Sequence, residues 1–272
     1  MSSDRVSIIS PFTSFLKHRR LIFDLAKREI ASRYKGSAAG LLWSFFNPLL
    51  MLAVYTFVFS VIFQSKWAGG SGSKTEFALV LFAGLIIFSL VSEVIGRAPV
   101  LIVGNINYVK KIIFPIEILP YVTVASAFFQ FVASIFVWLV FYFAFFGIPP
   151  ITIFLLPLVM IPIVLLTLGF SWMLASLGVY LRDTPQVIAI SITILMFLSP
   201  IFYSTASIPA DYRQLLQLNP LTFAIETARD VMLWGKPVLW VMWLKQTGIA
   251  LFVFVIGFAW FQKTRGGFAD VL

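Results

Sequence analysis

Residues 119–146 read LPYVTVASAFFQFVASIFVWLVFYFAFF, residues 147–150 read GIPP, and residues 151–181 read ITIFLLPLVMIPIVLLTLGFSWMLASLGVYL. Each long stretch exceeds the roughly 20 apolar residues that a helix needs to cross a hydrocarbon layer about 30 Å thick. Gly147-Ile148-Pro149-Pro150 reads as a tight hairpin joining two spans. Backbone groups in lipid must be satisfied within the segment, so both stretches are expected to be helices. The second is too long for one perpendicular crossing. Pro157 and Pro162 suggest a kink, and tilt or extension past the bilayer takes up the remainder.

Four further segments qualify, at about 41–63, 77–95, 186–203 and 238–261. The expected fold is therefore one all-α integral membrane domain of six spans over residues 1–272. Composition agrees. The chain is 60% hydrophobic and only 11% charged, whereas about a quarter of an average soluble chain is charged. The excess apolar area must face lipid. Cysteine is absent, which removes disulfides and thiolate metal sites. The one histidine, His18, sits among Lys17, Arg19 and Arg20, poor company for a cation ligand.

The net charge of +9 is distributed by topology, not as a nucleic-acid surface. Eight basic residues precede the first span: Arg5, Lys17, Arg19, Arg20, Lys27, Arg28, Arg33 and Lys35. Arg97, Lys110 and Lys111 follow the second span, Arg182 follows the fourth, and Lys263 and Arg265 follow the sixth. These are fourteen of the twenty Lys and Arg. Positive-inside logic puts them and both termini in the cytoplasm, which requires an even number of spans. No cleavable signal is expected, because the first apolar run is too long and starts after some 40 residues.

Residues 11–35 read as an amphipathic helix, with Phe15, Ile22, Ala26 and Ile30 at helical spacing and cations interleaved. Such a helix lies on the anionic leaflet, either as a topology anchor or beside the access point of an amphiphilic substrate. Residues 97–118 form a cytoplasmic connection carrying Tyr108, Lys110, Lys111 and Phe114. It is either an ordinary basic loop or a piece that docks into a soluble partner. Residues 204–237 face outward yet stay rich in apolar residues. Asn219-Pro220 is a helix start, with Leu221, Ile225, Ala228 and Met232 on one face and Glu226, Arg229 and Asp230 on the other. A shorter helix is expected from about Asp211. The pair reads as interfacial or re-entrant.

Gly69 to Thr75 resembles a phosphate-binding loop but fails on spacing, because Ser73 separates Gly72 from Lys74. No nucleotide site is assigned to this chain. Glu93 and Arg97 are spaced for an i, i+4 pair, either structural or proton-coupling. Lys245 lies just inside the last span and can snorkel outward. No ladder of ionisable residues crosses the membrane, so ion-driven transport finds little support. Among 30 Phe, 8 Trp and 8 Tyr, two groups stand out. Phe45, Tyr55, Phe59 and Phe63 lie near one stripe of the first span. Met196, Phe197, Phe202 and Tyr203 surround Pro200 in the fifth. They either pack the bundle or line a conduit on which sugar rings stack through their C–H faces.

The ordered motifs Arg28-Glu29-Ile30-Ala31-Ser32-Arg33-Tyr34-Lys35-Gly36-Ser37, Gly40-Leu41-Leu42-Trp43, Asn47-Pro48-Leu49, Lys110-Lys111-Ile112-Ile113-Phe114-Pro115, Leu181-Arg182-Asp183, Ser199-Pro200-Ile201-Phe202-Tyr203 and Asn219-Pro220-Leu221-Thr222 resemble the permease subunits of polysaccharide-exporting ABC transporters. The match runs over nearly the whole chain. The resemblance implies the ABC-2 fold and a homodimer of six-helix subunits in the bacterial inner membrane. Two copies of a separate ATPase would hold ATP and Mg, and this chain would hold no cofactor. It implies as cargo a lipid-linked polysaccharide: O-antigen, or else teichoic acid or capsule, with the ending Gly266-Gly267-Phe268-Ala269-Asp270 closer to O-antigen and teichoic acid exporters. By the same resemblance Arg28, Arg33 and Lys35 would meet the lipid pyrophosphate, residues 107–118 would couple to the ATPase, and residues 206–233 would form an outer gate. An intramembrane enzyme acting on a polyprenyl carrier and an ABC-2 exporter of drugs or other lipids are the rival classes. Against the first, Glu117 and Asp183 are isolated, and such chemistry needs clustered acids.

Overall fold

The computed structural model describes residues 9–62, 64, 67, 70, 72–110 and 114–272. Of the expected site residues, Phe63 and Lys111 lie outside the described residues, as do Lys66, Gly69, Ser71, Ile112 and Ile113.

All regular structure among the described residues is helical. The main helices are α1 (Ser10–Tyr34), α2 (Trp43–Tyr55), α3 (Lys74–Arg97), α4 (Ile106–Val109), α5 (Leu119–Phe146), α6 (Leu156–Tyr180), α7 (Thr184–Leu198), α8 (Ala210–Gln217), α9 (Pro220–Arg229), α10 (Trp240–Thr264) and α11 (Phe268–Val271). Five helical segments are long and apolar enough to cross a membrane: Gly40–Phe59, Lys74–Val100, Ile116–Phe146, Ile151–Tyr180 and Trp240–Val271. The segment expected as the fifth span, 186–203, is shorter: α7 has 15 residues, about 22 Å of helix. Pro200 is the reason. A residue before proline is disfavoured in the α region, and Ser199 is extended, with φ −92° and ψ 147°.

The hairpin between α5 and α6 is as read. Gly147 takes φ +79°, a conformation glycine adopts without penalty. Chain direction then returns through a 3₁₀ turn at Ile151–Leu155. Pro157 lies in the first turn of α6, where its missing N–H costs nothing. Pro162 sits inside that helix, which runs on as one element to Tyr180.

Helix α3 is the centre of the bundle, with nearly every side chain from Glu76 to Phe88 buried. Trp138 of α5 donates its indole N–H to the Leu79 carbonyl of α3 at 3.0 Å. Trp243 of α10, half-buried, does the same to Leu158 of α6 at 3.0 Å, so both rings pack with their polar edge satisfied. Helices α6 and α10 approach to backbone contact. A Cβ on Gly257 would lie 2.1 Å from the Gly169 carbonyl oxygen, and one on Gly169 would lie 2.6 Å from that of Val253. Small residues at such a crossing let dispersion act at close range where no hydrophobic drive exists between helices.

Helix α1 buries Ile22 and Ala26 and leaves Lys17, Arg19, Arg20, Lys27 and Arg28 exposed. Its first turns pack through Phe12 on Phe254 and Phe15 on Tyr121. The Tyr121 hydroxyl donates to the Pro11 carbonyl at 2.9 Å.

Between α7 and α10 stand two short helices, α8 and α9. The Asn219 side chain caps α9 by accepting from Leu221 N at 3.0 Å, and its amide N–H donates to Ser199 Oγ at 3.0 Å. Leu221, Ile225, Ala228 and Met232 are buried, as their spacing predicts. Arg229 is a correction. Its spacing assigns it to the polar face, yet it is only 2% exposed. Its guanidinium donates to the carbonyls of Val80 (2.9 Å), Ile201 (2.8 Å) and Pro200, and it pairs with Glu226 at 3.1 Å. The same group lies 4.4 Å from the Trp67 ring centroid. A buried charge is tolerable when its donors are all engaged this way.

Candidate transport path and coupling surface

A cleft of about 510 Å³ opens between the end of α1 and helices α2, α3, α5 and α7. Arg33 and Tyr34 line it at one end, Asn47, Met51 and Tyr55 along α2, Ser89 and Ser92 along α3, Gln130 and Ser134 along α5, and Met196 from α7. Arg33, Tyr55 and Met196, picked out separately in the sequence, therefore share one space.

The inner end of the cleft is ionic. Arg33 pairs with Glu29 of its own helix and with Glu93 of α3. Arg97 pairs with Glu93 at 3.4 Å, as the spacing predicts, and also with Glu29. Two carboxylates and two guanidinium groups thus form a closed, charge-balanced ring that ties α1 to α3. The partnership across 60 residues was invisible in sequence, although Glu29 and Arg33 repeat the same i, i+4 spacing as Glu93 and Arg97. Arg28 and Lys35 stay exposed outside the ring. Beside it, the Tyr34 hydroxyl donates to Gln130 Oε1 at 3.3 Å, and the Gln130 amide donates to the Ser44 carbonyl at 2.8 Å. Burial holds the Tyr34 hydroxyl above its ordinary pKa, so it remains a neutral donor.

Tyr55, which lines the cleft, also belongs to an aromatic cluster beside it. Phe59 stacks on Phe202 with centroids 4.9 Å apart and planes at 17°. Tyr55 lies 5.8 Å from Phe202 and 6.4 Å from Phe59, and Phe197 lies 6.0 Å from Phe202. Four of the expected path residues thus meet where the first span faces the end of α7. Tyr203 donates its hydroxyl to the Phe197 carbonyl at 3.0 Å and so braces the same turn. Phe45 is elsewhere: it meets Phe136 of α5 edge-on at 5.9 Å.

The described residues of the 98–118 connection form short helical turns at Ala98–Val100, Val103–Asn105, Ile106–Val109 and Ile116–Ile118. Tyr108 and Phe114 stack at 4.2 Å and 10°. Lys110 is exposed at its tip. Glu117 is not isolated, because Arg265 from the C-terminal arm pairs with it at 3.3 Å. Trp172 of α6 donates to the Glu117 carbonyl at 3.0 Å. The loop is thereby fastened to α6 and to the end of α10.

A helical bundle with five membrane-length segments and a side cleft defines a multi-pass membrane protein. Residues 20–233 match the family described as ABC-2 type transporter, and the chain belongs to that family. It is 27% identical to the O-antigen export system permease protein RfbA of Klebsiella pneumoniae, over 93% of this chain and 95% of that protein. A protein of the same name from Myxococcus xanthus is 28% identical over 75% of this chain and 77% of its own length.

Proposed function

We propose that this chain is the membrane-spanning permease subunit of an ABC transporter that exports a lipid-linked polysaccharide, O-antigen foremost, across the bacterial inner membrane. ATP is hydrolysed in a separate subunit, and two copies of each make the transporter. The names of the relatives support the cargo. The observation that carries the reading is the Tyr55–Phe59–Phe197–Phe202 cluster beside the cleft. Aromatic faces hold sugar rings through their C–H surfaces without the strong hydrogen bonds that would stop a sliding chain. The contact joins α2 to the loop after α7, so separating the two elements opens it.

In this reading α1 lies on the cytoplasmic leaflet, and Arg28 and Lys35 are the free cations that meet the lipid pyrophosphate. Arg33, already paired with two carboxylates, positions the helix and engages the anion only when its pairs loosen. The Tyr108–Phe114 stack and Lys110 present the connection to the ATPase. Movement there passes through Glu117 to Arg265 and Trp172. α8 and α9 close the outer side, and α7 completes a sixth, short crossing with the residues that follow it.

Deleting the gene is expected to abolish surface polysaccharide while glycan accumulates inside, and re-expression of the wild-type chain restores it. Surface glycan unchanged by deletion overturns the proposal. Glycosyl or phosphoryl transfer by the purified chain would replace it with an enzymatic role.

A further inference from the structure

The helices around the 510 Å³ cleft are almost without charge. Residues 36–65, which hold α2, and residues 184–210, which hold α7, contain no Asp, Glu, Lys, Arg or His. The same is true of residues 77–92 in α3 and of residues 119–146, the whole of α5. The polar groups lining the cleft include amides and hydroxyls: Asn47 from α2, Ser89 and Ser92 from α3, Gln130 and Ser134 from α5. Arg33 is the one charged side chain in that lining, and it is spent on Glu29 and Glu93. Arg97 pairs with the same two carboxylates, so the inner end is charge-balanced. Near the aromatic cluster, the buried Arg229 gives its donors to three carbonyls and to Glu226. Lys66, the first charge past the first span, lies outside the described residues.

We infer that the cargo is a polysaccharide whose repeat unit carries no charge, and that this lining rejects polymers with a phosphate or carboxylate in every repeat. The inference rests on the export reading above and names the chemistry of its cargo. A polymer charged in each repeat holds anions in the cleft at every stage of its passage. An anion stripped of water is tolerated only beside cations or donors aimed at it. Pores that pass anions accordingly line themselves with Lys or Arg. Uncharged sugars ask less: their hydroxyls both donate and accept, and amides and hydroxyls answer them in kind. The lipid pyrophosphate is a separate matter. It is one group at the end of the molecule, with Arg28 and Lys35 exposed outside the ring to meet it, whereas a charged repeat pays the desolvation cost at each step.

The test starts from the glycan that accumulates when the gene is deleted, isolated and analysed for phosphate and uronic acid. Neither is expected in every repeat. An added glycosyltransferase then places a glucuronate on each repeat of that glycan, on the unchanged lipid carrier, in cells with the full wild-type chain. Surface export of the acidic polymer should fall about tenfold or more against the parent, because its carboxylates lose hydration with no cation to replace it. Asn47→Lys, a change at an exposed side chain, should raise the acidic-to-parent export ratio about tenfold by supplying that cation. Met51→Lys, also exposed in the cleft, takes its place if Asn47→Lys does not insert. An anion in every repeat of the native glycan, or equal export of the two polymers, overturns the uncharged assignment and leaves the export reading standing. A ratio unmoved by the inserted lysine overturns selection by this lining. Absence of any accumulated glycan overturns the export reading, and this inference with it.

Discussion

The α6–α10 crossing and the aromatic contact between the first span and the loop after α7 use opposite physics to join two elements. At the first, glycine brings backbones together and leaves no room for a methyl group. At the second, four aromatic rings from α2, the turn that follows it, α7 and the loop after α7 meet at 4.9 to 6.4 Å. A backbone contact has one arrangement and fails when disturbed. Ring contacts slide and re-form at small cost, each being worth only about 0.5–1.5 kcal/mol beyond its buried area. The contrast is between a frame, α6 with α10, and a wall held by side chains alone, the first span with the end of α7.

Gly257→Leu attacks the frame where a Cβ already overlaps a carbonyl. Overpacking of this severity costs about 3 kcal/mol or more, and loss of monodisperse protein in size-exclusion chromatography is expected. A well-folded Gly257→Leu protein would dissolve the distinction. Arg229→Met tests the clamp that ties α9 to α3 and to the loop after α7, since it strips three carbonyls and Glu226 of their donor. A stability loss on the order of 3 kcal/mol is expected, read as a fall in thermal midpoint, and Arg229→Lys should recover only part of it. Tyr55→Ala or Phe59→Ala in the wall should cost about 1 kcal/mol yet reduce export about tenfold, by the reading proposed above. Equal yield with reduced surface glycan sharpens the comparison; loss of folded protein assigns the rings to packing. The smallest effect belongs to the ionic ring. Arg97→Gln should cost about 0.5–1 kcal/mol, because the ring's side chains are 21–35% exposed and solvent screens them. Arg33→Gln combined with Glu93→Gln, read as a double-mutant cycle on thermal stability, should give a coupling energy of about the same size.

The frame and the wall differ in how much of them sequence reveals. Helix α5 begins and ends at the residues expected, because apolar length and Gly147 mark it without help from the rest of the chain. The end of α7 was misjudged by five residues, since the apolar run continues through Pro200 while the helix cannot. Tyr55, Phe59, Phe197 and Phe202 are legible as two separate stripes, and folding brings them together. Phe45 shares the first stripe but faces Phe136, because a stripe does not say which neighbour covers it. Arg229 is the clearest failure. Periodicity assigns a guanidinium to the polar face unless acceptors are known, and its acceptors come from residues 28 to 149 positions away. Gly169 and Gly257 likewise carry no local signal, as each matters only opposite the other.

The glycine crossing also imposes an order on synthesis. α6 has its half of the crossing ready when the chain has grown to Tyr180, but its complement lies in α10, after α7, α8 and α9 have been made. Until then α6 presents a bare backbone seam to lipid, and the polar atoms of residues 204–237 have no second wall to rest on. Domains made on the ribosome at about 5–20 residues per second leave such seams open for seconds. The last helix to emerge is therefore the one that locks the frame, and a chain stopped before Gly257 is left without its keystone.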